Sequence, residues 1–394
     1  MEKHVYELVR ELMRYGVAVD IVCEDRAFLP DASNPHAEHI IGVPSDSLHA
    51  DGDIARFVEK SRRFCELVDP MRYDIIHSHG QFGFHTALRL ARIDSRPPFV
   101  STFHLTALGP AERYRQLGLP EPEESAVERA AGLMEAAIAR LADCCFGVSR
   151  VVVREIEQFY GVPSASVLLT YNWYDPRIFW PHDRLTARQV LGLRADGRYL
   201  LYIGHFKMAR GKILIDVLRL LPRDVKLLVV HHERDEEVLA EFDGRLEYTG
   251  HLSAERLALH YSAADLLCFP ALYGGFGLVL LEAMACGCPP VVFDFPAMNE
   301  LVTEDSGYLV VAPTPAAYAA AIERALADRE RKRSAAAERA RVFDMERQIS
   351  ALVAAYKDLV ELRKYRLDPA REMVQRIFDI SVPVPNLLSR HTAD

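Results

Sequence analysis

The sequence lacks a long apolar run, a concentrated basic block and any regular spacing of cysteines. No uninterrupted apolar run approaches the ~18–20 residues that a membrane-spanning helix requires. The opening residues do not combine a basic segment with the apolar core of a signal peptide. We therefore expect a cytoplasmic protein without a transmembrane segment.

Charge and cysteine usage exclude further classes of protein. The 47 lysines and arginines are outnumbered by 56 acidic residues, and the resulting net charge of −9 argues against a general nucleic-acid-binding protein. The seven cysteines are scattered, and the close pairs Cys144/Cys145 and Cys286/Cys288 lack the spacing of zinc ribbons. This usage indicates reduced, buried thiols rather than a disulfide framework.

The chain does contain enough apolar material for two domains. Half of its 394 residues are hydrophobic, and this length exceeds that of one ordinary domain. Short apolar runs typical of strands, such as Tyr73 to His77, Phe99 to Phe103 and Tyr199 to Ile203, alternate with segments of helical periodicity, such as Ile54 to Leu67 and Ala316 to Arg341. The alternation predicts an α/β fold.

One stretch, residues 264–292, combines a strand, a glycine-rich loop and a buried helix. The apolar run Leu266 to Phe269 ends at Pro270, a loop with three glycines follows through Gly277, and good helix formers begin at Leu278. Such a turn points unpaired backbone N–H groups and the positive end of the helix dipole into one crevice. A crevice of this kind suits phosphate.

The single acid of this helix is Glu282, a little over one turn from its start. Its carboxylate can accept two hydrogen bonds from ribose hydroxyls. The alternative is a solvated or capped surface acid. Because apolar neighbours surround Glu282 and an unpaired buried carboxylate is costly, we expect a functional role.

The stretch resembles the donor-binding motif of the retaining glycosyltransferases of family 4, which have the two-domain GT-B fold. That motif reads Ser-x-x-Glu-Gly-Phe-Gly-x-x-x-x-Glu-Ala-Met-Ala. Its second glutamate matches Glu282 and its first falls on Gly274. The resemblance implies two Rossmann-like domains facing a cleft, a nucleotide diphosphate sugar as donor, and no metal or cofactor. It assigns donor binding to Glu282, Gly274, Gly275, Phe276, Gly277, Leu278 and Asn172.

A histidine follows the strand Phe99 to Phe103 where the family has Thr-x-His-Gly. The family's histidine contacts the donor sugar and phosphate, so the resemblance makes His104 a catalytic-site residue. The alternative is a hydrogen-bonded core histidine. A second group, His77, His79 and His85, has the residue type of a metal site, but the family carries a similar His-x-His, and we expect crevice lining and no metal.

Beyond the strand Tyr199 to Ile203, two residues occupy the positions at which the family has a cationic side chain. The family has Gly-Arg-x-x-x-x-Lys-Gly here, and its two cations neutralise the departing diphosphate. Arg210 takes the lysine position and keeps the charge. His205 takes the arginine position, which makes that charge dependent on pH. Both are therefore candidate catalytic residues.

The family's first strand and its glycine-rich loop have no counterpart in this sequence. The chain opens with a helical pattern over Met1 to Tyr15, followed by a strand pattern over Val17 to Cys23. A parallel sheet without that central strand would leave backbone groups of its neighbours unpaired. Three interpretations follow, of which we favour the first: a start placed too late, a truncation covered by other elements, or a second chain that completes the sheet.

The expected organisation is an acceptor-side domain over residues 1–178, a nucleotide-sugar domain over 179–342, and a helix crossing back plus a tail over 343–394. The loop Pro110 to Glu124 is an acceptor-side lid or a solvated loop. The expected function is transfer of a sugar from a nucleotide diphosphate sugar to a small-molecule or glycan acceptor, with retention at the anomeric carbon. An alternative is a catalytically weak nucleotide-sugar-binding or partner protein. Its basis is four departures from the family pattern: Gly274, His205, the missing first strand, and residues 231–233, where the family typically has Gly-Asp-Gly-Pro. A third possibility is a sugar-nucleotide epimerase.

Overall fold

The computed structural model describes residues 2–24, 40–43, 54–67, 69–120, 126–207, 209–242 and 244–365. The tail from residue 366 onward, expected to dock after the last helix, lies outside the described residues. Within them, parallel strands alternate with helices in two α/β halves. None of the described helices is both long enough and apolar enough to cross a membrane.

The described residues of the N-terminal half form two parallel sheets. Its helices are α1 Glu2–Arg14, α2 Ile54–Leu67, α3 Phe84–Leu90, α4 Gly109–Gln116, α5 Ala126–Leu141 and α6 Arg150–Tyr160. Its strands are β1 Ile21–Glu24, β2 Ile40–Val43, β3 Ile76–His79, β4 Phe99–Phe103, β5 Cys144–Gly147 and β6 Val167–Leu169. One sheet pairs β1 with β2, and the other has the order β3-β4-β5-β6.

A cavity of about 350 Å³ lies between these two sheets. It is lined by residues of β1 and β3, by apolar side chains of α1 such as Val9, and by Phe64 and Tyr356. Among the described residues, β1 and β3 both border this cavity and do not pair with each other. The expected absence of a central strand stays a prediction.

The C-terminal half forms one continuous sheet. Its helices are α7 Arg184–Leu191, α8 Ala209–Leu220, α9 Glu236–Glu241, α10 Ala254–Ala263, α11 Leu278–Ala285, α12 Met298–Leu301, α13 Pro315–Ala327 and α14 Arg329–Ala340. Its strands are β7 Arg198–Ile203, β8 Val225–Val230, β9 Leu246–Tyr248, β10 Leu266–Phe269, β11 Pro290–Phe293 and β12 Tyr308–Val310. The six parallel strands have the order β12-β11-β10-β7-β8-β9. The order reverses between β7 and β10, so a crevice opens at the carboxyl ends of these two strands.

The last helix, α15 Met345–Tyr365, packs against the N-terminal half. Its buried residues Ile349 and Leu352 share a core with Leu8 of α1 and Phe146 of β5. Beside it, Asp175 forms ion pairs with Arg10 and Arg177. The two ends of the described chain are thereby held together.

Three local predictions from the sequence were wrong. The segment Pro110 to Glu124 was expected as a loop, but α4 occupies residues 109–116, because a proline in the first turn presets the backbone and Glu112 pairs with Arg115. A single helix was expected over residues 316–341, and it breaks at Asp328 into α13 and α14. Strand β3 begins at Ile76 rather than Tyr73, because Asp69 caps a short 3-10 turn at residues 70–72.

Candidate active site

The crevice at the carboxyl ends of β7 and β10 is bordered by two loops. Gly204 and His205 follow β7, and the loop of residues 273–277 follows β10 and enters α11. Gly277 is the N-cap of α11 and offers no side chain to the first amides of the helix. The amides of Leu280 and Leu281 donate to the Gly277 carbonyl oxygen at 2.9 and 3.1 Å, whereas those of Leu278 and Val279 precede the first bonds of the helix. The crevice therefore presents two donors and a positive dipole end to an anion.

Arg210 is the cation at this crevice. Its guanidinium lies 5.3 Å from the ring centroid of Phe269, the last residue of β10. Its Nη2 is also close to Gly204, since a β-carbon placed on that glycine would lie only 3.3 Å from it. Within the described chain its Nε is buried and has no hydrogen-bond partner. A buried guanidinium N–H without an acceptor is costly, and an anionic ligand in the crevice would supply one.

His205 is joined to the segment that follows β8. Its Nδ1 accepts a hydrogen bond from the backbone N–H of Lys207 at 3.0 Å, and its Nε2 lies 3.6 Å from a carboxylate oxygen of Glu233. The ring of His231 contacts it edge to face, with centroids 4.8 Å apart. His205 is therefore placed near the β7 loop with an acid close to it.

Glu282 is buried on α11, with 5% of its surface exposed. One carboxylate oxygen accepts a hydrogen bond from the Tyr261 hydroxyl at 2.9 Å. Burial and the neighbouring carboxylate raise the pKa of Tyr261 well above its ordinary value, so this hydroxyl stays a donor. The surface-acid alternative is wrong, since Glu282 is neither solvated nor at the helix end; its contact with ribose stays a prediction.

The glycine loop meets the N-terminal half at His104. A β-carbon on Gly275 would lie 1.7 Å from the His104 carbonyl oxygen, so only glycine fits there. At Gly274 the nearest atoms to such a carbon are the Met298 methyl at 3.5 Å and the Phe276 carbonyl oxygen at 3.6 Å, which are ordinary contacts. The structure thus requires glycine at 275 and leaves room for a side chain at 274.

Two further contacts join the halves around this loop. The Tyr273 hydroxyl donates to Glu155 of α6 at 2.9 Å, and the Glu300 carboxylate accepts the backbone N–H groups of Arg150 and Val151 at 2.9 and 3.2 Å. Glu300 of the C-terminal half therefore satisfies amides at the start of a helix in the N-terminal half.

His104 belongs to a group of histidines on the N-terminal side. Its Nε2 lies 3.1 Å from Nδ1 of His79, and the ring of His4 packs against it with centroids 4.9 Å apart. Burial lowers the pKa of His79 to about 4 and lowers the pKa of His4 and of His104 well below the usual value. These imidazoles are therefore neutral at pH 7.

The predicted set His77, His79 and His85 does not come together as a unit. His77 hydrogen-bonds Thr102 at 2.7 Å and the Tyr356 hydroxyl, and its ring neighbours that of His79. His85 instead lies in the first turn of α3, where its backbone N–H donates to the Ser61 hydroxyl. Sequence reasoning gave His4 no role, and only the packing of α1 brings it beside His104.

The remaining predicted donor-binding residues differ in their burial and their contacts. Phe276 is buried and packs on the rings of Tyr171 and Phe343, so its side chain stabilises the loop. Leu278 starts α11 and is half-buried. Asn172 is buried near His4 and His77, and its Oδ1 has no hydrogen-bond partner within the described chain.

Comparison with known proteins agrees with this architecture. The family described as Glycosyltransferase Family 4 matches residues 1–178, and that described as Glycosyl transferases group 1 matches residues 183–343. A D-inositol 3-phosphate glycosyltransferase of Geodermatophilus obscurus is 30% identical over 393 residues, which cover 92% of this chain and 85% of the relative. The chain belongs to the family 4 glycosyltransferases.

Solved structures of glycosyltransferases share the GT-B fold of this family 4 member. Sucrose-phosphate synthase from Thermosynechococcus elongatus superposes with a TM-score of 0.74 at 24% identity, covering 91% of this chain and 93% of the other. HepE from Anabaena, solved in complex with UDP and glucose, gives a TM-score of 0.65 at 18% identity, covering 91% and 95%. The expected α/β fold of two Rossmann-like domains is confirmed.

Proposed function

We propose that this glycosyltransferase moves a sugar from a nucleotide diphosphate sugar to a small-molecule or glycan acceptor, with retention at the anomeric carbon. The observation that supports it best is the buried Arg210 Nε–H without an acceptor, at the point where the strand order reverses. The glycine loop and the start of α11 complete a crevice rich in donors and positive charge.

In the proposed reaction the bond between the anomeric carbon and the diphosphate oxygen breaks, and its electron pair leaves with the diphosphate. Arg210 and the α11 amides stabilise the added negative charge, because they are fixed before the bond breaks. The acceptor hydroxyl oxygen forms the new bond to the anomeric carbon, and its proton passes to the oxygen of the departing diphosphate. His104 lines the reacting sugar from the N-terminal side, and we expect the chemistry to need no metal.

Donor binding rests on Glu282 and the glycine loop in this proposal. Glu282 would hold the ribose with its carboxylate while Tyr261 fixes the orientation of that carboxylate. The relatives named D-inositol 3-phosphate glycosyltransferase make D-inositol 3-phosphate the first acceptor to assay.

The test is stabilisation by a panel of nucleoside diphosphates and nucleotide sugars. A ligand at ~100 times its dissociation constant should add about 2.7 kcal/mol to the free energy of unfolding, which raises the melting temperature. Arg210→Met should abolish this shift. Arg219→Met is the matched control, because Arg219 is half-exposed and pairs with Glu241 and Asp216 outside the crevice. An equal shift in wild type and Arg210→Met would contradict the proposal.

A nucleotide-sugar-binding protein without turnover is the second candidate. The cavity between the N-terminal sheets favours it, since the histidine side of the site rests on the interrupted half. Stabilisation by a donor together with no sugar transfer to any acceptor, and no slow hydrolysis of the donor, would select this candidate over the enzyme.

Gly274 gives a test of donor choice. We infer that the absent side chain enlarges the pocket for a deoxy or amino sugar that lacks the usual hydroxyl pattern. Gly274→Glu should then lower turnover, because the added carboxylate fills space that the sugar needs, while Gly274→Ala should change turnover little. The contacts around Gly274 accept a β-carbon, so a fall would not reflect a backbone clash. Faster turnover of Gly274→Glu would refute the inference.

A further inference from the structure

Three imidazoles converge on one point beside the proposed sugar site. His4 comes from α1, His79 ends β3 and His104 follows β4, and one ring nitrogen from each lies within 4.8 Å of the other two. His4 is 4% exposed, and its Nδ1 has no hydrogen-bond partner within the described chain. We propose that His4, His79 and His104 bind a divalent transition metal, with zinc as the natural choice, and leave one coordination position open.

The distances are close to those a zinc ion needs. Zinc binds imidazole nitrogen at about 2.0–2.1 Å in tetrahedral geometry, which places neighbouring nitrogens about 3.3 Å apart. Nδ1 of His79 and Nε2 of His104 are already 3.1 Å apart. The third nitrogen, from His4, lies within 4.8 Å of both and must move closer to complete the ligand set.

A neutral imidazole has one N–H and one lone pair, and zinc binds the lone pair. The hydrogen bond between His79 and His104 uses one N–H, which a change of tautomer transfers to the outer nitrogen of the same ring. Metal binding therefore releases no net proton from this pair.

The surroundings select these three histidines and exclude the fourth. Both ring nitrogens of His77 are engaged, one with Thr102 and the other with Tyr356, so His77 buttresses the ring of His79 instead of binding the metal. No carboxylate belongs to the group among the described residues. The bound ion would keep its full charge and attract an anion to the open position, such as hydroxide or a phosphate oxygen.

Metal binding would inhibit sugar transfer. This consequence rests on the proposed function, in which His104 faces the donor sugar, because a metal on its imidazole takes the nitrogen that the sugar would meet. The binding itself does not rest on that function and can be measured with no donor present.

Trp173 provides the readout. Its ring packs on His4 with centroids 4.1 Å apart, and it is one of only two tryptophans in the sequence. In a Trp180→Phe background Trp173 is the only tryptophan emitter, and Trp180 is half-exposed, so its replacement should be tolerated. The full chain without a histidine tag is first dialysed against a chelator and then titrated with Co²⁺, followed by Zn²⁺ in competition.

We expect one equivalent of Co²⁺ to quench Trp173 and to give the visible absorption of a tetrahedral site, and Zn²⁺ to reverse both signals. His4→Phe should weaken Co²⁺ binding at least tenfold, whereas His85→Ala should leave it unchanged. His79→Asn serves as a second ligand variant if His4→Phe fails to keep its melting transition.

Absence of quenching and of the visible band in the wild type would overturn the metal site. Equal weakening by His85→Ala and His4→Phe would overturn its assignment to these ligands. Tight Zn²⁺ binding with an unchanged rate of sugar transfer would overturn the proposed inhibition. A protein that binds Zn²⁺ but transfers no sugar even after chelation would count against the proposed function and not against the metal site.

Discussion

In the C-terminal half, β7 and β10 lie side by side in a six-stranded sheet, and their residues Leu200 and Leu267 are completely buried. In the N-terminal half, β1 and β3 stand on opposite sides of a cavity of about 350 Å³. The phosphate side of the proposed site is built on the continuous sheet, and the histidine side is built on the interrupted one. Nucleotide binding and sugar transfer should therefore respond to different residues.

The largest expected effect separates these two activities. His104→Ala should lower kcat by about 10²–10³-fold, in the range found when one preorganised donor is removed from a transition state. The same variant should keep its stabilisation by nucleoside diphosphates, because Arg210 and the α11 amides lie in the other half. The measurement is initial-rate kinetics together with thermal shifts. If His104→Ala is no longer stabilised by nucleoside diphosphates, nucleotide binding and sugar transfer are not separated between the two halves.

The alternation of strands and helices could be predicted from the sequence because apolar runs recur along the chain and glycines mark the ends of elements. Strand β4 and helix α2 have the predicted bounds, since their patterns are unbroken. Strand β3 starts later than predicted because Tyr73 ends the 3-10 turn that Asp69 caps, and its backbone N–H donates to the Pro70 carbonyl oxygen. Local propensity thus sets the elements, and capping decides their ends.

The site was less readable because its key distances depend on packing between distant segments. The motif identified the glycine loop, but the sequence did not distinguish Gly275, which His104 crowds, from Gly274, which is open. His4 lies far from His104 in sequence and meets it only through the docking of α1. Nothing in the spacing of the histidines predicts this contact.

A matched pair of substitutions tests the difference in packing between the halves. Val292 of β11 is completely buried in the continuous sheet, and Val9 of α1 lines the cavity. Val292→Leu should destabilise the protein by about 1–3 kcal/mol, since an added methylene has no room there. Val9→Leu should stabilise it by up to about 0.8 kcal/mol, the worth of one buried methylene. Urea unfolding of both variants measures whether each substitution lowers or raises the free energy of unfolding.

If both substitutions destabilise the protein equally, the cavity is closed in solution, and the contrast between the halves would not hold. Amide hydrogen exchange gives an independent measure of the same contrast. Amides of β1, paired with β2 beside the cavity, should exchange faster than amides of β7, which has a partner on each side.

The smallest effect concerns the contact between the halves and depends on pH. Burial raises the pKa of Glu155 above its ordinary value of 4.5, although hydrogen bonds from Thr106 and Tyr273 oppose this shift. Between 4.5 and the raised pKa the folded protein binds more protons than the unfolded chain, so its stability falls as pH rises. Both hydrogen bonds end on Oε2, so Glu155→Gln keeps them and removes the titration.

Glu155→Gln should therefore gain stability relative to the wild type as pH rises from 4.5, by at most about 1.4 kcal/mol for each pH unit crossed. Tyr273→Phe should act in the opposite sense. It removes a hydrogen bond that stabilises the ionised Glu155 carboxylate, so the pKa of Glu155 in the folded protein rises further. The loss of stability with rising pH then extends to higher pH. Urea unfolding at several pH values between 4.5 and 8 measures both variants. A difference between wild type and Glu155→Gln that stays constant over this range would show that Glu155 ionises alike in the folded and unfolded protein, and the contact with Tyr273 would then join the halves without any dependence on pH.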